Sequence, residues 1–495
     1  MMSICPVEVS ERSNSGQDGK RQFANATWRP VYTLNDTILG MFSRRDFLTS
    51  ASVAAAVNGV AQTRSGSRKP NFIIFLADDL GCHDIGSWGA TDLKTPNIDA
   101  LAASGARFTN WYAAAPVCAP SRAALLTGRY PIRAGVPGNG QALKPTERTI
   151  ASLLKPAGYA NGIFGKWHLG DTADTVPNAH GFDRFFGFHA GCIDFFSHRY
   201  YWGEPRTVNY HDLWRDRTEV FEDGQYSTEL FAREAAQFMR DNRSNPFFMY
   251  VPFNGVHYPM HAPRKYVDRF PDLEPERRMY AAMLSAVDDG VGLVMRTLRE
   301  LHLTDNTLVF FAADNGATRE PRAGLNQQPA RAGDNRPFRG NKFSAFDGGM
   351  HVPMVMSWPG VIPKGQVLSQ VGNHVDLLPT ICTAAGVPVP ADRTMDGFDA
   401  LPMAVSGAAS RHDAIFWSSQ GQLAVRRGSW KLVQNGKIFD GTPKGAQPLD
   451  GDDALFLSNL DVDPGESKNL RHENPAVVDQ LLTLAEKWLA DVKKP

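Results

Sequence analysis

Phe72-Ile73-Ile74-Phe75-Leu76-Ala77, followed at once by Asp78-Asp79, is an unbroken apolar run that ends in two acids. A strand buried on both faces has this form, because both sides of its pleat must be apolar, whereas a half-exposed strand would alternate. Three further runs repeat the pattern. Tyr159-Ala160-Asn161-Gly162-Ile163-Phe164 leads into Gly165-Lys166-Trp167-His168, Phe247-Phe248-Met249-Tyr250-Val251 continues to His257, and Leu308-Val309-Phe310-Phe311-Ala312-Ala313 ends in Asp314-Asn315-Gly316. Longer helix-like stretches lie between them. This is the sequence form of an α/β domain with a large mixed, mainly parallel sheet flanked by helices. In such sheets ligands bind beyond the carboxyl ends of the strands, so the four endings are expected to meet in one crevice.

Thr95-Pro96 reads as a helix cap followed by proline at the first helical position, with Gly105 closing that helix. Ser121 reads as the cap of a helix beginning at Arg122, which would set Cys118 just ahead of a positive dipole end. Residues 227–240 and 276–301 carry apolar side chains at three- and four-residue spacing and read as amphipathic covers for the sheet. After Thr394 the texture changes. Residues 423–433 and 437–439 are β-like, joined by Gly428-Ser429 and by Asn435-Gly436, a hairpin-turn dipeptide. Asn474-Pro475 opens a last helix through Leu481, Leu482 and Leu489. The expected organisation is a catalytic domain over 70–395 and a smaller α+β subdomain over 396–495, with antiparallel strands and a terminal helix.

The 495 residues carry 52 lysines and arginines against 52 aspartates and glutamates. With no net charge and no basic run, nucleic acid is not an expected partner. Five cysteines are too scattered for a disulfide framework or a zinc site, so any functional cysteine acts alone. Ser43-Arg44-Arg45-Asp46-Phe47-Leu48 is similar to a twin-arginine export signal, and residues 49–61 behind it are small and apolar but too short for a membrane span. Residues 41–61 are thus expected to be a cleaved signal, giving an exported, periplasmic or extracellular protein with no span in the mature chain. Residues 1–40 are polar and unpatterned, and Met41 is the expected true start.

Asp78, Asp79, Asp314 and Asn315 offer only oxygen, the donor that hard cations such as calcium or magnesium take. Such pairs also occur as plain turn residues, but two of them at the ends of buried strands favour a site. Cys118, in Pro116-Val117-Cys118-Ala119-Pro120-Ser121-Arg122, has three readings: buried filler, thiolate nucleophile, or precursor of a modified residue.

Cys118-Ala119-Pro120-Ser121-Arg122 resembles the Cys-X-Pro-Ser-Arg signature of the type I sulfatases, members of the alkaline phosphatase superfamily. Blocks in the same order include residues 71–81, Thr95-Pro96-Asn97-Ile98-Asp99, Gly165-Lys166-Trp167-His168, Asp314-Asn315-Gly316, residues 348–353 and residues 457–466. Gly191-Cys192-Ile193-Asp194 and its surroundings resemble the branch that holds arylsulfatases and N-acetylgalactosamine-4-sulfatase. The resemblance implies an alkaline-phosphatase-like fold and a formylglycine made from Cys118 by a formylglycine-generating enzyme. It implies metal ligation by Asp78, Asp79, Cys118, Asp314 and Asn315, with Ca2+ or Mg2+ as the ion. One hydroxyl of the aldehyde hydrate would attack sulfur with Asp314 accepting its proton, and His168 would later take a proton from the second, expelling sulfate. His257 and Lys342 would stand at the leaving oxygen, and Lys166 and Arg122 would supply positive charge to sulfate and hydrate.

Two segments depart from the family pattern. Gly81-Cys82-His83-Asp84 stands where Gly-Tyr-Gly-Asp is commoner, and Gly340-Asn341-Lys342-Phe343-Ser344 lacks the usual glycine-rich form, which weakens the assignment of Lys342. Phe195, Phe196, His198, Tyr201 and Trp202 could line a sugar site or simply pack. The expected function is hydrolysis of a sulfated saccharide or aryl sulfate. The alternatives are a phosphonate or phosphate monoester hydrolase on the same scaffold, and an inactive carbohydrate-binding relative.

Overall fold

The computed structural model describes residues 68–201, 209–325, 328–438 and 447–494. The expected signal over 41–61, the segment 1–40, Trp202 and Phe439 lie outside the described residues. The four apolar runs are strands β1 (Asn71–Ala77), β2 (Ala160–Lys166), β3 (Phe247–Pro252) and β4 (Thr307–Ala313). They lie side by side in the order β4-β1-β3-β2 at the centre of a ten-stranded sheet, all parallel. Every residue of β1, β3 and β4 is buried, which is why none alternates. Antiparallel pairing enters only toward the edges, where Met354–Ser357 runs against β4 and Trp214–Arg215 runs against Arg184–Phe188.

Helix α1 spans Pro96–Ala103, α2 Cys118–Thr127, α3 Ser227–Asp241 and α4 Pro275–Glu300. The long pair α3 and α4 pack on each other, and α3 lies against β2, as the spacing of their apolar residues predicts.

Two helix starts differ from expectation. Thr95 occupies the cap position of α1 but its side chain caps nothing; the free donors Asn97 N and Ile98 N go instead to Asp288 Oδ1 of α4, at 3.0 and 2.9 Å. Helix α2 begins at Cys118, not Arg122, so Ser121 sits inside the first turn. Pro120 is tolerated there because its missing N–H would have had no helical partner. Asn139 Oδ1 accepts from Ala119 N at 3.1 Å, and Gly128, at φ 68°, ends the helix in the left-handed conformation.

A separate antiparallel sheet follows in the order Ile415–Ser419, Gln422–Arg427, Trp430–Gln434, Leu455–Asn459. Gly428-Ser429 makes the expected tight turn. Asn435-Gly436 does not make a regular hairpin: Lys437 forms one isolated bridge to Pro448, and Leu455–Asn459 pairs with Trp430–Gln434 instead. Alternation sorts this sheet's faces. Leu423, Val425, Leu432 and Leu457 pack under the terminal helix α5 (Pro475–Val492), while Trp417, Ala424, Val433 and Phe456 pack toward Tyr112, Phe346 and Met350 of the larger body.

Candidate active site

Because β1 to β4 run parallel, their carboxyl ends share one edge, and the chemistry collects there. Asp78 and Asp79 follow β1, Asp314 and Asn315 follow β4, Lys166 ends β2, and His257 lies on the loop after β3. That loop is tied to β1 by Asp78 N to Gly255 O at 3.0 Å and Val256 N to Asp78 O at 2.9 Å. Asp79 and His168 hold φ of 59° and 58°, conformations that cost a non-glycine residue about 1 kcal/mol or more and that cluster where side-chain direction matters.

Helix α2 brings Cys118 and, one turn later on the same face, Arg122. Cys118 Sγ lies 3.6 Å from Asp78 Oδ1 and 4.0 Å from Asp79 Oδ1. Arg122 Nη2 reaches Asp314 Oδ2 at 2.7 Å and Asp78 Oδ1 at 3.3 Å. Lys166 Nζ donates to Asp78 Oδ2 at 2.7 Å, and Lys342 Nζ to Asp79 Oδ2 at 2.9 Å and His257 Nε2 at 3.3 Å. Lys342 is tethered on both sides, its own N–H to Ala317 O and that of Phe343 to Pro116 O. All these side chains are buried; Cys118 is 1% exposed and Lys166 0%. The structure therefore brings together nine of the ten expected residues through direct contacts. The His168 side chain makes no hydrogen bond or ion pair to the group among the described residues; burial, then Lys166 and Arg122, push its imidazole well below the ordinary histidine range. Its ring sits so near Gly191 that a Cβ there would stand 2.7 Å from Nε2.

Burial raises the Asp78 carboxyl, but Lys166, Arg122 and Lys342, with the Lys166 hydrogen bond, outweigh it and hold it below its usual value. Asp79 goes the other way: burial pushes it up, Lys342 opposes, and Asp78 and Asp314 add to the rise. That is the behaviour of a carboxylate short of positive charge. The donors fit a hard cation. Asp78, Asp79, Cys118 and His257 present one atom each within 4.8 Å of one another. Asn315 Nδ2 donates to Asp79 Oδ1 at 2.7 Å, which leaves the buried Asn315 Oδ1 with no hydrogen-bond partner among the described residues. His257 fits less well as a ligand, because Nδ1 donates to Tyr258 O at 2.9 Å and Nε2 accepts from Lys342. With Asp78, Asp79 and Asp314 set against Arg122, Lys166 and Lys342, a divalent cation would turn a balanced pocket positive, the sign that draws in an anionic ester.

Glu320 and Tyr258 belong to the same site and carry no signal of their own in the sequence. Glu320 Oε2 lies 3.2 Å from Lys342 Nζ, and the Tyr258 ring lies tilted by 37° against that of His257, their centroids 3.9 Å apart. Glu320 stands six residues past Asp314 on the same strand-end loop, the one cue that could have drawn it in. Of the aromatic residues considered for a sugar, Phe195 and His198 are buried in the core, and Tyr201 lies 6.5 Å from Tyr258.

The carboxyl edge of this α/β sheet thus gathers a buried thiol, the carboxylates of Asp78, Asp79, Asp314 and Glu320 and the cations of Arg122, Lys166 and Lys342, the equipment of an enzyme that acts on an anionic ester. The sulfatase family model matches residues 70–387, and the chain belongs to that family, the hydrolases of sulfuric esters. The N-acetylgalactosamine-6-sulfatase of Sus scrofa is 36% identical over 388 residues, 73% of this chain and 71% of the relative. The steryl-sulfatase of Rattus norvegicus is 32% identical over 508 residues, 86% of each. Among solved structures, Ps i-CgsB in complex with k-i-k-neocarrahexaose is similar at TM-score 0.75 and 32% identity, covering 85% of this chain and 93% of that one.

Proposed function

We propose that the chain cleaves sulfate from an O-sulfated saccharide or aryl ester at Cys118, after a formylglycine-generating enzyme has converted that cysteine. The observation that carries this reading is the Cys118 thiol, buried at a helix start between two carboxylates and ringed by Arg122, Lys166 and Lys342. The saccharides in the names of similar proteins support the substrate class. Formylglycine would supply a hydrated aldehyde, one hydroxyl to attack sulfur and a second through whose deprotonation sulfate is released. A calcium or magnesium ion held by Asp78, Asp79, Asp314, Asn315 and the oxygen replacing the Cys118 sulfur would make those hydroxyls more acidic.

The chain's own residues do the rest. Lys166 and Arg122 orient the sulfate and offset its charge. Asp314 Oδ1 and Oδ2, already acceptors from Asp79 N and Arg122, take the nucleophile's proton. The leaving oxygen is protonated by the Lys342 and His257 pair. Lys342 Nζ stands 3.3 Å from His257 Nε2, and we assign His257 as the general acid with Lys342 beside it, offsetting the charge that develops on the leaving oxygen. His168, kept neutral, accepts the proton in the release step. Export by a twin-arginine signal over 41–61 completes the proposal; among the described residues no helix is long and apolar enough to cross a membrane.

The test is the mass of the tryptic peptide 108–122 from protein made in its own host, together with turnover of matched aryl sulfate and aryl phosphate. An aldehyde at Cys118 with faster sulfate turnover, lost to a chelator and restored by calcium or magnesium, is the expected result. An unmodified thiol in active protein, or faster phosphate turnover, overturns the reading.

A further inference from the structure

A cavity of about 1000 Å³ lies on the carboxyl edge of the main sheet, and none of the residues proposed above for metal or catalysis lines it. Its wall is nevertheless continuous with theirs. Asn341 lines it and Lys342 follows one Cα step of about 3.8 Å later. Asn335, also in the lining, accepts from Ala317 N at 2.9 Å, two residues beyond Asn315. His83, four residues beyond Asp79, donates its N–H to Asp334 O at 3.0 Å. The loops that build the reacting chamber thus form the near side of a second one.

Charge sets this cavity apart. In a chain with no net charge, its lining holds Arg277, Arg319, Arg331 and Arg336 against Asp92 and Asp334. Arg277 is committed to Asp84 at 2.5 Å and Asp92 at 2.8 Å, and Arg336 to Asp334 at 2.6 Å. The guanidinium groups of Arg319 and Arg331 pair with no carboxylate within 4.0 Å among the described residues, although Glu276 Oε1 accepts from Arg331 N at 2.6 Å; Arg319 Nη1 donates to Ala330 O at 3.3 Å. Two guanidinium groups without an ion-pair partner among the described residues line one concave surface, where an anion would offset their charge. Their planar forks suit the paired oxygens of a sulfate or carboxylate better than a point charge would.

We propose that this cavity is a second anion subsite, in which Arg319 and Arg331 hold a sulfate or carboxylate on a sugar neighbouring the one desulfated at Cys118. The substrate is then a polyanionic saccharide chain lying across both chambers, not an isolated monosulfate. This rests on the sulfate-ester reading of the first chamber, but the affinity of the second can be measured without it.

The test compares the full chain with an Arg319→Gln/Arg331→Gln variant, each also carrying Cys118→Ala so that nothing turns over. Calorimetry with a dextran sulfate oligosaccharide, an oligogalacturonate and unsubstituted dextran separates sulfate, carboxylate and sugar. The expected result is no binding of dextran and a Kd for one or both charged probes that rises about 10-fold or more in the variant, two charge-assisted contacts being lost. The probe that responds names the anion. With Cys118 intact, para-nitrophenyl sulfate turnover should stay within about twofold, since that small ester does not reach the second chamber. Failure of the unmutated chain to bind either charged probe, equal affinity in both proteins, or an equal fall in para-nitrophenyl sulfate turnover overturns the subsite. No para-nitrophenyl sulfate turnover in the unmutated chain would count against the sulfate-ester reading, and the binding measurements would still decide the subsite.

Discussion

Lys342 is gripped by two carboxylates, Asp79 at 2.9 Å and Glu320 at 3.2 Å, while Glu320 is itself balanced by Arg322 at 2.8 Å. In the mechanism proposed above Glu320 would touch no reacting atom and would act by aiming Lys342 at the leaving oxygen, as a positioning residue. Glu320→Gln should lower kcat on an aryl sulfate about 10-fold with KM changed less than about threefold, the signature of a group needed in the transition state and not for ground-state binding. Glu320→Asp should recover part of the loss, and a loss in KM alone would argue against positioning. Cys118→Ala separates chemistry from stability. Among the described residues its sulfur makes only long hydrogen-bond contacts, 3.6 and 4.0 Å, so the variant should stay folded, within about 1 kcal/mol, while turnover disappears. Denaturant titration beside the activity assay checks both halves.

At the scale of elements, the Asp288 carboxylate of α4 caps α1 through Asn97 N, Ile98 N and Asn97 Nδ2, at 3.0, 2.9 and 2.7 Å. Burial pushes it up to about 6, the hydrogen bonds from Ile98 and Asn97 only partly opposing. The folded value exceeds the unfolded 3.8, so between those pH values the native chain holds the extra proton, and this group's share of stability falls as pH rises through the window. The change is on the order of 3 kcal/mol. Asp288→Asn, which cannot titrate, should gain on the unmutated protein as pH rises from 3.8 to 6, beyond a constant offset for the altered cap; parallel stability curves would refute the assignment. This capping pair also shows what a sequence conceals. The four central strands and their acidic ends are legible because double-sided burial writes a continuous apolar run and a charge ends it. Thr95 and Ser121 mislead because a cap can come from a side chain 190 residues away, as Asp288 does for Ile98, or 20 residues away, as Asn139 does for Ala119. Glu320 is silent for the same reason, its partner Lys342 lying on a separate loop. Asn435 keeps its turn-like φ of 53°, yet the strand beyond it is displaced by Leu455–Asn459.

Across the whole molecule, a buried ionic knot adds to the apolar packing that holds the small sheet to the larger body. Lys431 Nζ, fully buried, reaches Asp347 Oδ1 at 2.5 Å and Glu466 Oε1 at 3.1 Å, and Tyr112 donates to Asp347 Oδ2 at 2.7 Å. Asp347 stands five residues after Lys342, so the knot also steadies the segment that supplies that lysine. Lys431→Met would strand two buried carboxylates and should cost about 3–5 kcal/mol, whereas Lys431→Met/Asp347→Asn/Glu466→Gln, with no charge left to strand, should recover most of it. Denaturation of both variants decides; equal losses would mean the knot holds by shape alone. Finally, every residue of α2 is buried, Cys118 among them. On the maturation proposed above, a modifying enzyme could not reach that thiol once the chain had closed over it, so conversion would be a race run once per molecule. A chain that closed first would stay inert for its lifetime, and the active fraction of a preparation would record how it was made, not an equilibrium that can later be adjusted. Folded thiol protein mixed with the modifying enzyme should stay inactive, while the two produced together should not.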